Sequence, residues 1–134
     1  MGSGAGLPGI VAGILLDRPV MLVEPRARRV EFLQRVISEL GLTRVMVQQS
    51  KVETYHPTTH VAIVSARAVA ELSQLLASTA HCTDSSTIWV LPKGRNAQSE
   101  VEAAQAKWQG VFHVEPSITQ PNSGIVVARG VRRR

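Results

Sequence analysis

Short apolar runs alternate along this chain with stretches whose apolar residues recur every three or four positions, which predicts alternating strands and helices. Residues 20–24 (VMLVE) and 87–91 (TIWVL) are compact β-branched blocks, the mark of parallel strands buried on both faces. Residues 44–48 (RVMVQ) and 60–64 (HVAIV) read the same way. Residues 26–40 place Val30, Leu33, Ile37 and Leu40 on one helical face, with Glu31, Arg35 and Glu39 four apart on the other. Gly41 closes that helix. Further helices are expected at 7–16, opened by Pro8, at 68–78, and at 97–108 with Val101, Ala104 and Trp108 inward. Strands 111–115 and 125–129, joined through Pro121-Asn122-Ser123-Gly124, read as a terminal hairpin.

This order implies an α/β fold of Rossmann-like type. Right-handed crossovers between parallel strands put helices on both faces of an open, mostly parallel sheet, and the hairpin adds an antiparallel edge. Residues 1–134 are expected to form a single domain. Its front is unusual. A glycine-rich turn in this architecture follows a strand, yet only Met1 precedes Gly2. The first strand and any helices before it are therefore expected to be missing. Such a chain should be poorly stable and bind its ligand weakly, because buried backbone groups would lose ladder partners, and its activity alone stays open.

Composition narrows the function. The net charge is +5 and the pI about 10.4, carried largely by arginine. Arg26, Arg28, Arg29 and Arg35 cluster early, and Arg129, Arg132, Arg133 and Arg134 end the chain. Arginine forks suit phosphate, which raises the case for a nucleic-acid partner; a solvated basic surface with a frayed tail is the equal alternative on charge alone. The lone Cys82 permits neither an internal disulfide nor a thiolate metal site. The four histidines lack metal-ligand spacing, so no metal is expected. No apolar run approaches the ~20 residues of a membrane span, and no basic signal segment opens the chain. A monomer in a reducing cytoplasm is the expectation.

Candidate chemistry concentrates near the N-terminus. Gly2-Ser3-Gly4-Ala5-Gly6 is a GxGxG turn before a helix, where glycine lets backbone approach a ligand and helix N–H groups favour anionic or polar atoms. Glu24, 18 residues beyond Gly6, ends the next strand, where an acid can accept both ribose hydroxyls of an adenosine cofactor. Gly4-Ala5-Gly6-Leu7-Pro8-Gly9 also satisfies GxGxxG. At this point either NAD or S-adenosylmethionine fits. Arg26, Arg28 and Arg29 oppose the dipole of the helix they open, which suits either an outside anion or a merely solvated face, and Lys93-Gly94 after a strand can meet phosphate or simply cap its loop. Trp89 and Trp108 are read as core residues.

The longer strings are more specific. GSGAGLPGI at 2–10, LVEPRARRVEFLQRVISELGL at 22–42, Lys51-Val52-Glu53, Ser65-Ala66-Arg67-Ala68-Val69-Ala70 and Leu91-Pro92-Lys93-Gly94 stand in the order of one family. The chain resembles, from residue 2 to about 130, the bacterial small-subunit rRNA methyltransferase G family, also called glucose-inhibited division protein B. The resemblance implies a class I methyltransferase fold, with S-adenosyl-L-methionine as cofactor and N7-methylation of a guanine in 16S rRNA. Its partner would be 16S rRNA or the small ribosomal subunit. By the same resemblance Gly2, Gly4, Gly6 and Leu7 meet the cofactor, Glu24 holds the ribose, Val52 and Glu53 meet the adenine, and Arg67, after the fourth strand, is a further cofactor contact. The family usually reads Ser-Arg-Ala where Ala66 intervenes here, which leaves open whether Ser65 or Ala66 takes the serine's place. Arg26, Arg28, Arg29 and Lys93 are the expected RNA contacts, and no residue is assigned as catalytic. A non-catalytic basic RNA-binding module and an NAD-binding oxidoreductase remain the alternatives.

Overall fold

The computed structural model describes residues 3–67 and 70–134. They form two compact units, Met1–Tyr55 and His56–Arg134.

In the first unit, helix α1 (Gly9–Leu15) leads to strand β1 (Val20–Val23), helix α2 (Ala27–Glu39), strand β2 (Val45–Gln48) and a 3-10 turn at Val52–Thr54. β1 and β2 pair in parallel, Val20 against Val45 through Val23 against Gln48. Ile10, Leu22, Leu33 and Val45 form the core, flanked by Val20, Val36, Ile37, Leu42 and Val47. The periodic face of α2 therefore points where its spacing predicts. Leu40, counted on that face, is instead the C-cap and is exposed. Beyond it the chain closes the helix as a Schellman motif, with Leu42 N–H donating to Ile37 O at 3.0 Å and Gly41 N–H to Ser38 O at 3.2 Å.

The second unit runs β3 (Ile63–Ser65), α3 (Leu72–Thr79), a 3-10 turn (Ala80–Cys82), β4 (Ile88–Gly94), α4 (Ala97–Gln105), β5 (Trp108–Pro116) and β6 (Gly124–Arg133). Its sheet has the order β3-β4-β6-β5, with β3 and β4 parallel and β6 antiparallel to both β4 and β5. Parallel pairing in β1–β2 and β3–β4 followed by an antiparallel hairpin agrees with the expected fold class. Among the described residues β1 and β3 each have a single strand neighbour.

Several boundaries differ from the sequence expectation, each because tertiary pairing overrides a local pattern. β3 is short and begins at Ile63 rather than at residue 60, and α3 begins at Leu72 rather than at 68. The Glu100 carboxylate of α4 accepts the Leu72 N–H at 2.8 Å, so the start of α3 is decided by a residue far along the chain. Trp108 does not end a helix but opens β5, and it is buried there. The arginine-rich end is no frayed tail. It continues β6, with Arg133 opposite Trp108 and Arg132 opposite Gln109. Both tryptophans are core residues with satisfied indoles, Trp89 Nε1 donating to Thr79 Oγ1 at 3.4 Å and Trp108 Nε1 to Ser73 Oγ at 3.0 Å.

Candidate functional site

The chemistry of the first unit gathers at the carboxyl ends of β1 and β2, the end of a parallel pair at which α/β proteins hold ligands. Ser3 N–H donates to Val23 O at 2.9 Å, which pins the glycine turn to the last residue of β1. Gly4 and Gly6 both lie in the left-handed region, at φ +56° and +87°. Gly6 also has no room for a side chain, since a Cβ there would press on Ile10 and Leu33. Its N–H is used internally, donating to Ser3 O at 2.9 Å, and its carbonyl accepts the Ile10 N–H at 2.6 Å. Gly6 therefore supplies shape rather than a free amide. Gly9, the last glycine of the GxGxxG pattern, and Gly13 have a packing role that the pattern did not assign. A Cβ on Gly9 would strike Leu22, and one on Gly13 would strike Val45, so α1 lies close against both strands. Their spacing of four on one helix face was the available signal.

Glu24 follows β1 directly and is only 1% exposed. Its N–H donates to Gln48 O at 3.0 Å, which continues the β1–β2 ladder. Both carboxylate oxygens are buried without a hydrogen-bond donor. The charge is answered by Arg29, whose Nη1 stands 3.6 Å from Oε1. A Cβ added to Gly4 would meet that same guanidinium nitrogen at 3.9 Å. Glycine turn, acid and arginine thus occupy one place. A buried acceptor left without a donor costs about 1–3 kcal/mol. Two on one side chain beside a glycine turn are acceptors that a ligand with paired hydroxyls would satisfy. The cis-diol of a ribose is such a ligand, so these residues fit an adenosyl cofactor.

The other expected residues fall as follows. Gly2, Ala68 and Val69 lie outside the described residues. Leu7 is exposed at 45% within the turn. Val52 and Glu53 form the 3-10 turn after β2, with Val52 half-buried and Glu53 exposed. Arg67, in the second unit, is exposed just after β3. Ser65 Oγ donates to Val90 O at 2.8 Å and so serves the sheet edge. Arg26 is the N-cap of α2, and it and Arg28 are exposed at a helix start with neither an acid in its first turn nor a side-chain cap. Two expected RNA contacts have partners within the chain. Arg29 is engaged with Glu24. Lys93 is turned inward, its side chain 8% exposed, paired with Glu100 at 3.0 Å and donating to Ala70 O. No group of three or more His, Cys, Asp or Glu that could hold a metal occurs among the described residues. No described helix is long and apolar enough to cross a membrane.

The model of the rRNA small subunit methyltransferase G family matches residues 1–124. The chain belongs to that family. The resemblance carried by the longer strings is thereby borne out. A ribosomal RNA small subunit methyltransferase G from Sphingopyxis alaskensis is 47% identical over 130 residues, covering 97% of this chain and 55% of the relative. The chain spans 55–63% of the length of this and four further curated relatives it matches. Among solved structures, a ribosomal protein L11 methylase from Lactobacillus delbrueckii subsp. bulgaricus is 15% identical with a TM-score of 0.70, over 99% of this chain and 67% of that one. A SAM-dependent O-methyltransferase from Thermotoga maritima is 12% identical with a TM-score of 0.69, over 100% and 58%. At those identities the likeness is one of fold, and the fold is that of the class I methyltransferases.

Proposed function

We propose that this chain binds S-adenosylmethionine and serves N7-methylation of a guanine in 16S rRNA, with the rRNA or the small ribosomal subunit as partner and the cytoplasm as its place of work. The observation that supports this most directly is the pair of donor-less oxygens on buried Glu24 beside the glycine turn. Family membership supports the reaction and the substrate. In this reading residues 1–134 belong to one domain, and the chain acts as a monomer.

The cofactor, when bound, supplies an electrophilic sulfonium methyl. Glu24 would accept hydrogen bonds from the ribose hydroxyls, Gly4 and Leu7 would let the ligand approach the turn, and Val52 and Glu53 would border the adenine. Guanine N7 presents an exposed lone pair, so no proton has to be removed before attack. The protein's task is then alignment of nucleophile, methyl and leaving sulfur, and no general base is required of it. Arg26 and Arg28, uncompensated at the start of α2, are placed to meet RNA phosphate and would give binding a salt-dependent component.

The test is transfer of labelled methyl from S-adenosylmethionine to 16S rRNA, with the position read by cleavage at 7-methylguanine. Label at a guanine N7 supports the proposal. Label elsewhere overturns the N7 assignment. The close packing of Gly9 on Leu22 is also what the third glycine of a dinucleotide-binding turn provides, so NADH is the control ligand. Stabilisation by NADH but not by S-adenosylhomocysteine would favour the oxidoreductase reading.

A further inference from the structure

Beyond the two Glu24 oxygens, one other described side-chain atom is buried without a hydrogen-bond partner, the Oγ of Ser50. Ser50 lies two residues past the end of β2 and precedes the turn that holds Val52 and Glu53. Its N–H donates to Gln48 O at 3.1 Å, the same carbonyl that accepts the Glu24 N–H at 3.0 Å. One backbone oxygen therefore ties both residues together, and all three orphaned atoms sit at the same end of the same strand pair.

We propose that Ser50 is a cofactor-positioning residue whose hydroxyl hydrogen-bonds the nucleoside half of the bound adenosyl ligand. The inference rests on the cofactor reading above. The order across the sheet gives the direction. The glycine turn is pinned to Val23, Glu24 extends β1, and Ser50 lies on the β2 side of Glu24. A ligand with its diol on Glu24 and its sulfonium arm toward the glycine turn would direct its base toward β2. Ser50 then stands beside the junction of ribose and base. A serine hydroxyl can both donate and accept, so it can complement either a ring nitrogen or a sugar hydroxyl there. Burying it without a partner is unfavourable in the free protein, and the bound nucleoside removes that penalty.

This origin gives a signature that a structural serine lacks. Ser50→Ala removes an unsatisfied buried hydroxyl, so the ligand-free melting temperature stays the same or rises. Affinity for S-adenosylhomocysteine falls by about 3- to 10-fold, the worth of one neutral hydrogen bond. Adenosine, measured by competition, loses the same factor because the contact is to the nucleoside. Ser50→Thr, which keeps the hydroxyl, restores most of the binding. Unchanged affinity in Ser50→Ala overturns the inference. So does a loss for S-adenosylhomocysteine with none for adenosine, or a matching drop in the ligand-free melting temperature. If the unaltered chain itself binds no S-adenosylhomocysteine, the cofactor reading has failed and the inference falls with it.

Discussion

Glu24 is the residue whose environment makes least sense without a ligand. Its carboxylate is buried with only a 3.6 Å ion pair to Arg29, a side chain 49% exposed and screened by solvent. Replacing it with glutamine keeps the volume and removes the buried charge. The ligand-free protein should therefore melt at the same or a higher temperature, as followed by circular dichroism, while Glu24→Ala, which leaves a cavity, should melt lower. Cys82 gives a second residue-scale prediction. Burial pushes its thiol up from the ordinary range, and its own backbone contact only partly offsets this. A raised folded-state pKa means that the folded chain holds its proton longer than the unfolded chain. The stability this represents is complete below the usual thiol range of about 8.5 and is lost as pH rises through the folded value. Urea midpoints should fall between neutral and strongly alkaline pH, and Cys82→Ala should flatten part of that fall. Glu24 was legible in the sequence because a strand-end acid after a glycine turn is a local pattern. Ser50 was not, since nothing in Gln-Ser-Lys announces a hydroxyl that burial leaves unpaired.

At the scale of elements, α2 shows how far local signals reach. Its apolar spacing, its arginine-rich opening and Gly41 beyond its end agree with one another, and the helix lies within a residue of its expected ends. The chain at Gly41 stands at φ +62° with open space around it, so a side chain there would meet backbone strain alone. Gly41→Ala should therefore cost about 1 kcal/mol, read as a lowered denaturation midpoint with an unchanged slope. α3 and β5 were less legible because distant partners decide them. Glu100 holds the first N–H of α3, and pairing with Arg133 draws Trp108 out of a helical pattern into a strand. Lys93 illustrates the same limit for a site residue. A lysine beside a glycine after a strand looks suited to phosphate, but only the fold brings Glu100 to its ammonium.

For the whole molecule, parallel strands with intervening helices and a closing antiparallel hairpin were readable from periodicity, because block length and β-branching are properties of contiguous residues. That pattern alone did not choose between a nicotinamide and a methyl-donor ligand, since both use a glycine turn and a strand-end acid. The choice came from the longer strings and from membership of the methyltransferase G family. What the account finally requires is one adenosyl ligand held by the glycine turn and Glu24 together. Calorimetric titration of S-adenosylhomocysteine into the unaltered chain and into Glu24→Gln, with NADH in parallel, measures this most directly. The account predicts one-to-one binding of S-adenosylhomocysteine, weakened at least about tenfold in Glu24→Gln, and no heat from NADH. Equal affinity in the two proteins, or binding of NADH alone, would contradict it.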